Sequence, residues 1–104
     1  MTMISSQRYL DDAIVAAKIA AGNFVVTLSP EFEIDGVAYS VVMDGHHAYA
    51  AARESGVAPE FREVSDADNC LPLLRAGDID GFLACAQIEP GTDYYDIETG
   101  INVW

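Results

Sequence analysis

The strongest constraint on the fold is a two-residue turn between two short apolar segments. Asp35-Gly36 separates residues 32–34 from residues 37–39, and an Asp-Gly pair in that setting is typical of a type I′ β-hairpin. A two-residue loop also fixes the register, so that Phe32 faces Tyr39 across the two strands. These cross-strand neighbours share one apolar face. The sequence therefore predicts an antiparallel hairpin that packs this face on a core.

The N-terminal part of the chain has the spacing of an amphipathic helix. Ser5-Ser6 offers an N-cap and Gly22 a C-terminal stop, which predicts a helix of about sixteen residues. A short buried strand over residues 24–28 is predicted to follow. The helical residues expected to face the core are Leu10, Ile14, Ala17 and Ala21.

The rest of the chain follows from the same periodicities and stop signals. We predict a return strand to Met43, then a helix over 48–55 ended by Gly56 and a strand over 60–64. A further helix is predicted from 65–68 to Gly77, with Pro72 delaying its start or kinking it. The chain is predicted to end in a hairpin over 94–97 and 101–104 around Gly100. The apolar run 82–88 fits either a short helix or a buried strand. The predicted fold class is α/β: one domain over residues 1–104, with a mixed, mostly antiparallel sheet, three or four helices and a C-terminal β-hairpin.

The chain is strongly acidic. Its 104 residues suit one domain, and a hydrophobic content of 51% argues against disorder. The net charge of −12 comes from 17 acidic and 5 basic residues that do not cluster. Because binding to a phosphate backbone depends on Lys and Arg, direct nucleic-acid binding and anionic membranes are disfavoured. Two interpretations of the acidity remain: a solvated surface, which we favour, and a surface that imitates nucleic acid or docks a basic protein partner.

No secretory signal or membrane span is predicted from the sequence. The first residues lack a basic start, and Asp11, Asp12 and Lys18 interrupt the apolar stretch that follows. No run approaches the roughly 20 apolar residues that a membrane span needs. Cys70 and Cys85 lack CxxC spacing, so we expect buried reduced thiols ahead of a disulfide or a reactive thiol. These features together predict a cytoplasmic protein.

The loop Asp44-Gly45-His46-His47 leads from a predicted strand into the alanine-rich helix. The free N–H groups of a first helical turn and the helix dipole together favour an anion. Gly45 permits a tight turn or the close approach of a ligand. His46 and His47 supply donors or a general acid/base near neutral pH, while Asp44 can cap the helix, orient a histidine or bind a metal. The same four residues are also a common cap-and-turn sequence, and two adjacent histidines alone do not make a zinc site.

The residues around this loop resemble a box of a known superfamily. Residues 39–57 read YSVVMDGHHAYAAARESGV, which is similar to the second conserved box of the ParB/sulfiredoxin-like superfamily: a strand, a D-G-H-H-R or G-x-R-R turn, and an alanine-rich helix that ends in Gly. The resemblance covers about residues 24–64. Ala48 stands where the family usually has Arg, and the family's first box, an extended strand with a catalytic acid or Arg, has no clear match. Glu31 and Glu33 are the carboxylates upstream of the loop.

The resemblance implies a small α/β fold whose loop binds the phosphates of a nucleotide. The superfamily includes CTP-binding partition proteins, sulfiredoxin, a free-serine kinase and small nuclease-like proteins. It implies catalytic roles for His46, His47 and Asp44, and phosphate contacts from Gly45, His46 and His47. Arg53 is the nearest basic side chain further along the helix, and we add it to the phosphate-binding set. Mg²⁺ with a nucleotide is the implied cofactor, and Asp44 is its candidate ligand.

Three functions fit these observations. The first is a ParB-like phosphate- or nucleotide-binding domain, with phosphoryl-transfer or nuclease-like hydrolase activity left open. The second is a non-enzymatic acidic interaction protein, such as a phage or mobile-element accessory protein, that binds a basic partner or mimics nucleic acid. The third is an oligomer built through Tyr94, Tyr95 and Trp104, although a terminal Trp more often closes its own core.

Overall fold

A six-stranded mixed sheet lies at the centre of the molecule. The computed structural model describes residues 1–89 and 93–103. The elements in chain order are β1 (Thr2–Ser5), α1 (Asp12–Ala21), β2 (Val25–Leu28), β3 (Phe32–Ile34), β4 (Val37–Asp44), α2 (His46–Ser55), β5 (Glu60–Glu63), α3 (Leu71–Arg75), α4 (Ile79–Ala86) and β6 (Tyr95–Asp96). The strand order is β5-β2-β4-β1-β6, and β3 pairs with β4. The β1–β4 and β2–β5 pairs are parallel and the other pairs are antiparallel, which confirms the predicted mixed α/β class.

The β3–β4 hairpin has the predicted register. Phe32 pairs with Tyr39 and Ile34 with Val37. Asp35 has a φ of 53° and the following glycine a φ of 80°, and a type I′ turn requires both to be positive. Phe32 is buried, with its ring centroid 5.9 Å from that of Phe82 on α4. The apolar face of the hairpin therefore packs on the core as predicted.

Helices cover both faces of the sheet. On one face, Ile4 and Val41 belong to a buried cluster with Phe82 of α4. On the other face, Val26 and Val42 belong to a second cluster, against which Tyr49 of α2 and Tyr95 of β6 pack. Neighbouring residues of β4 thus point to opposite faces, as the pleat of a strand requires. Within the described ranges, no helix combines the length and the apolar character that crossing a bilayer would need.

The N-terminal helix is shorter than predicted, and a strand precedes it. Residues 2–5 form β1, which pairs in parallel with β4. Ser5 and Ser6 are buried rather than capping a helix. The N-cap of α1 is Asp11, whose carboxylate accepts a hydrogen bond from the N–H of Ala13. The predicted N-cap at Ser5-Ser6 is wrong because β4, whose paired residues lie 37 positions further along the chain, supplies the backbone partners of this segment. A local pattern does not reveal such pairing.

The predicted inward face of α1 is also wrong. Leu10 and Ile14 are 39% and 42% exposed, and Ala17 and Ala21 are exposed as well, whereas Val15 is 6% exposed. Every residue of α1 except Asp12 and Lys18 is apolar. Because apolar residues surround the helix, their spacing does not single out one face.

The helices of the second half differ in how well they match the prediction. The end of α2 at Gly56 is confirmed, since this glycine is the left-handed C-cap. The ambiguous apolar run belongs mainly to a helix, α4, whose N-cap Asp78 accepts a hydrogen bond from the N–H of Gly81. The helix start predicted at 65–68 is wrong. These residues form turns, and α3 begins at Leu71 with Pro72 in its first turn, where a missing N–H costs nothing.

The C-terminal hairpin is short. Its described part consists of β6 and a bridge between Tyr95 and Asn102, and Gly100 has the predicted positive φ, at 76°. Trp104, the end of the predicted return strand, lies outside the described residues. Tyr94 is buried and its hydroxyl donates a hydrogen bond to the carbonyl oxygen of Leu83. This tyrosine therefore serves the chain's own core rather than an interface between chains.

The two cysteines form a disulfide, which corrects the prediction of reduced thiols. Cys70 is the N-cap residue of α3 and Cys85 lies in α4, with their Cα atoms 5.7 Å apart. That separation is within the ordinary range for a disulfide. The spacing of 15 residues has no local signature. The pairing depends on the α3–α4 connection, which turns back at Gly77 with a φ of 81°.

Candidate functional site

The strand that leads into the loop ends in a bulge. Thr27 pairs with Asp44 and Leu28 with Val42, so Met43 is the extra residue on β4. Bulges re-aim the side chains that follow them and are frequent beside functional sites. Asp44 is exposed, and its Oδ1 accepts a hydrogen bond from the N–H of Gly45 at 2.8 Å. Its carboxylate thus lies at the N-terminus of α2, where the helix dipole favours negative charge.

Gly45 is required by the packing of the loop on β2. Its φ is 92°, in the region that favours glycine. A Cβ at this position would lie 2.5 Å from the carbonyl oxygen of Val25 and 2.9 Å from the Cα of Val26. Of the two roles predicted for Gly45, a tight turn or the close approach of a ligand, the structure shows the first, with the backbone of β2 packed directly against the glycine.

His46 is tied to the first strand. Its Nε2 and the Oγ of Ser5 share a hydrogen bond of 2.5 Å, whose donor depends on the tautomer of the ring. Burial lowers the pKa of His46 to about 4, although the nearby carboxylate of Asp44 acts in the opposite direction. The ring is therefore neutral at pH 7 and contributes hydrogen bonding rather than positive charge.

His47 is tied to a different element. Its Nε2 accepts a hydrogen bond of 3.1 Å from the N–H of Asp11, the N-cap residue of α1. This contact links the first turn of α2 to the start of α1. The two adjacent histidines are thus held by separate parts of the fold.

A cavity of about 130 Å³ lies along one side of α2. Four residues of this helix at i, i+3, i+4 and i+7 share one face and line it: His46, Tyr49, Ala50 and Arg53. The remaining walls come from the β1–α1 loop, from β4 and from the C-terminal segment: Gln7, Leu10, Val42, Tyr95 and Ile97. The cavity therefore combines apolar walls with an imidazole, a guanidinium, two phenols and an amide.

Arg53 and the two tyrosines form the polar part of the cavity wall. Nη1 of Arg53 donates a hydrogen bond of 3.2 Å to the carbonyl oxygen of Ile97. The guanidinium of Arg53 lies 5.9 Å from the ring centroid of Tyr49. The hydroxyl of Tyr95 donates to the carbonyl oxygen of Gln7 at 2.5 Å. Burial raises the pKa of Tyr49 and of Tyr95. Both phenols therefore stay protonated at neutral pH and remain hydrogen-bond donors.

The β1–α1 loop, which forms one wall of the cavity, is fixed by the C-terminal part of the chain. Oε1 of Glu89 accepts hydrogen bonds from the N–H groups of Arg8 and Tyr9 at 3.0 and 2.8 Å. The guanidinium of Arg8 lies 4.1 Å from the ring centroid of Tyr95, within the range of a cation–π interaction. The loop is thus positioned by specific contacts rather than by the sheet alone.

The structure brings some of the predicted site residues together and separates others. His46 and Arg53 line one cavity, Asp44 and Gly45 lie at the adjacent helix terminus, and His47 contacts α1. Ala48, at the position where the ParB/sulfiredoxin-like box usually has Arg, is only 1% exposed. A side chain there points into the fold rather than toward a ligand.

Sequence reasoning missed several residues that complete the site. Ser5 was assigned to a helix cap, and Gln7 and Tyr49 were given no role. The helical spacing of His46, Tyr49 and Arg53 was a signal available in the sequence. Ser5, which bonds to His46, and Gln7, which lines the cavity, carried no such signal, because the pairing of β1 with β4 brings this segment to α2.

A resident metal site is not formed by these residues. Within residues 1–89 and 93–103, no group of three or more His, Cys, Asp or Glu side chains is placed to hold a metal ion. Mg²⁺ is commonly held by one or two carboxylates together with the phosphates of a ligand. Asp44 would therefore hold Mg²⁺ only alongside a bound nucleotide.

Comparison of the chain with protein-family models, with curated proteins and with solved structures finds no match. Indications of function come from the residues and geometry of the cavity and of the adjoining loop.

Proposed function

We propose that the chain binds a small ligand through an anionic group, with phosphate the first candidate, in the cavity along α2. The observation that carries the proposal is that His46 and Arg53, two helical turns apart, line the same cavity with Tyr49 between them. Arg is the side chain best suited to bind phosphate or carboxylate. The imidazole and the phenol add neutral hydrogen-bonding groups, which fix the orientation of a ligand.

The size of the cavity limits how a nucleotide would bind. Its volume of about 130 Å³ is below the roughly 300–1,000 Å³ of pockets that enclose whole small molecules. A phosphate with a few attached atoms fits such a space, so the base of a nucleotide would remain outside. The resemblance to the ParB/sulfiredoxin-like superfamily supports a phosphorylated ligand of this kind, and it is part of the proposal.

Binding is favoured over catalysis by the state of His46. A general base works best when its pKa is near the working pH, whereas the pKa of His46 is about 4. A bound phosphate dianion would raise this pKa, because a nearby negative charge favours the imidazolium. Phosphoryl transfer or hydrolysis is therefore a second step of the proposal, to be tested only after binding.

Thermal unfolding in the presence of ligands tests the proposal. The probes are inorganic phosphate and a set of nucleoside mono-, di- and triphosphates, each with and without Mg²⁺. A ligand present at about a hundred times its Kd adds roughly 2.7 kcal/mol to the free energy of unfolding. This should raise the midpoint of a domain of this size by roughly 10 °C.

Two variants make the test specific. Arg53→Met should abolish the shift, whereas Arg75→Met, which removes an exposed arginine on α3, should leave it unchanged. The quantity compared is the ligand-induced shift and not the midpoint itself, since Arg53 also contacts Ile97. No shift with any probe, or an equal shift in both variants, would contradict the proposal.

A second candidate function is supported by the charge of the chain. Five basic side chains cannot pair one to one with 17 carboxylates, so the surface carries a strong negative potential suited to a basic protein partner. A lysine-rich peptide should then bind at low salt, dissociate at high salt, and bind the Arg53→Met variant equally well. Absence of binding at low salt would rule this function out.

A further inference from the structure

The strand at one end of the sheet has an open edge. Among the described residues, β5 pairs with β2 alone. The N–H of Glu60 donates to the carbonyl oxygen of Phe24, and the N–H of Val64 donates to that of Leu28. Because the direction of the backbone groups alternates along a strand, Glu60, Arg62 and Val64 turn theirs toward β2. Phe61 and Glu63 therefore turn their N–H and C=O groups toward the open edge.

The side chains of β5 suit an interface. All four residues are exposed, and Phe61, in the middle of the strand, is 46% exposed. Proteins usually protect an edge strand with charges or Pro. β5 carries such charges and follows Pro59, so the exposed aromatic at its centre is the feature that needs a reason. Glu60 and Arg62 lie on the other face, where they carry opposite charges and form a solvent-exposed ion pair of 3.4 Å within the strand.

We propose that this edge is a dimerisation surface occupied by β5 of a second copy of the chain. The two strands run antiparallel about a two-fold axis at Phe61. Phe61 then faces the partner's Phe61, Glu60 faces the partner's Arg62, and Arg62 faces the partner's Glu60. The sheet continues across the axis from one copy to the other.

The backbone supports this register. Phe61 and the partner's Phe61 exchange two N–H···O=C hydrogen bonds, because both turn their backbone groups outward. The next outward pair joins the N–H of Glu63 to the carbonyl oxygen of the partner's Pro59. Pro59 has no N–H, so no donor is left unpaired at this point.

The charges select the same register over its neighbours. Moving the axis to residue 62 places Arg62 opposite the partner's Arg62, and moving it to residue 60 places Glu60 opposite the partner's Glu60. Like charges directly opposite each other destabilise a strand pair, whereas opposite charges stabilise it. Of these three two-fold arrangements, only the one centred on Phe61 pairs opposite charges and brings two aromatic rings together.

Sedimentation velocity from micromolar to millimolar concentration tests the proposal. It is run at about 0.15 M salt, which screens the repulsion between two chains of charge −12. The wild type should pass from monomer to dimer as the concentration rises. Arg62→Glu, which places like charges opposite each other in both symmetric pairs, should raise the dimer dissociation constant about tenfold or more.

Two further variants separate register from overall charge. Arg75→Glu changes the net charge by the same amount as Arg62→Glu but lies on α3, so it should dimerise like the wild type. Glu60→Arg/Arg62→Glu keeps the net charge of −12 and exchanges the two signs, and it should restore dimerisation. A wild type that stays monomeric at all concentrations, or equal dissociation constants for Arg62→Glu and Arg75→Glu, would overturn the proposal.

Hydrogen exchange identifies the strand itself. The N–H groups of Phe61 and Glu63 should exchange more slowly at dimer-forming concentrations, because they donate across the axis. Those of Arg62 and Val64, which donate to β2 in either state, should not change. Dimer formation with unchanged exchange at Phe61 and Glu63 would show that another surface is used, and would also overturn the proposal.

Discussion

The Oγ of Ser5 lies 2.5 Å from Nε2 of His46, and this hydrogen bond joins residues 41 positions apart in the chain. The same oxygen accepts a hydrogen bond from the N–H of Gln7 at 3.0 Å. One buried hydroxyl thus contacts both the imidazole at the first turn of α2 and the loop that contributes Gln7 to the wall of the cavity. The geometry of the candidate site therefore depends on the position of β1.

The first prediction concerns the pH dependence of stability. The pKa of His46 falls from 6.5 to about 4 on folding, so between these values the unfolded chain binds a proton that the folded chain does not. The free energy of unfolding should therefore decrease as the pH falls through this window, by roughly 3 kcal/mol over its full width. Urea unfolding at several pH values measures the difference in unfolding free energy between the wild type and His46→Gln. The contributions of the carboxylates, which both proteins share, cancel in this difference. Parallel curves for the two proteins would contradict the assignment.

Ser5→Ala removes the hydroxyl that bonds to the buried ring. We expect it to lower the free energy of unfolding at pH 7 by about 1–3 kcal/mol, because a buried polar group loses its partner. Ser55→Ala, at the exposed end of α2, should change stability by less than about 0.5 kcal/mol. Similar values for the two variants in chemical denaturation would mean that the Ser5–His46 bond contributes nothing measurable.

Gly45→Ala tests the close packing of the loop on β2. The added Cβ meets the backbone of Val25 at 2.5 Å and also requires a φ of 92°. Gly36→Ala is the matched control, since its φ is 80° and nothing lies within 4 Å of its added Cβ. The control should lose about 1–2 kcal/mol from left-handed strain alone, and Gly45→Ala should lose about 1–3 kcal/mol more. Equal losses of unfolding free energy in the two variants, measured by thermal or urea unfolding, would show that β2 accommodates the added Cβ without loss of stability.

Reduction of the Cys70–Cys85 disulfide should destabilise the α3–α4 region. A disulfide that closes a loop of about 15 residues contributes roughly 3 kcal/mol by restricting the unfolded chain. We therefore expect the wild type to unfold at a lower temperature in a reducing agent, and Cys70→Ala/Cys85→Ala to match the reduced protein in either condition. A wild-type midpoint that does not respond to complete reduction would contradict this contribution.

The disulfide also bears on where the protein resides. Disulfides persist in oxidising compartments and are rare in the reducing cytosol. The disulfide therefore favours an oxidising compartment, whereas the predicted cytoplasmic location is a reducing one. Alkylation of free thiols in intact cells, followed by mass measurement, decides between them. Two alkylated cysteines would support the cytoplasmic prediction, and none would support an oxidising compartment.

Local sequence patterns determined the elements whose hydrogen bonds close within a few residues. Asp35-Gly36 fixed the β3–β4 hairpin and its register, since both residues adopt the positive φ that a type I′ turn needs. The alanine-rich segment and Gly56 fixed the course of α2 and its end. The predicted passage from a strand into a helix at Asp44-Gly45-His46-His47 is present, but Asp44 is the last residue of β4, Gly45 alone connects the two elements, and His46 and His47 begin α2. These features depend on backbone propensity and turn geometry, which neighbouring residues set by themselves.

Tertiary structure alone decided the features that depend on residues far apart in the chain. The segment containing Ser5 became a strand because β4 offered it a parallel partner, and Val15 rather than Ile14 turned inward because α1 packs against the neighbouring α2. The pairing of Cys70 with Cys85 and the meeting of Ser5 with His46 followed from the same long-range arrangement. Non-local pairing and burial are properties of the assembled sheet and its helices. The sequence therefore located the loop, whereas only the fold showed which of its side chains face a cavity and what surrounds them.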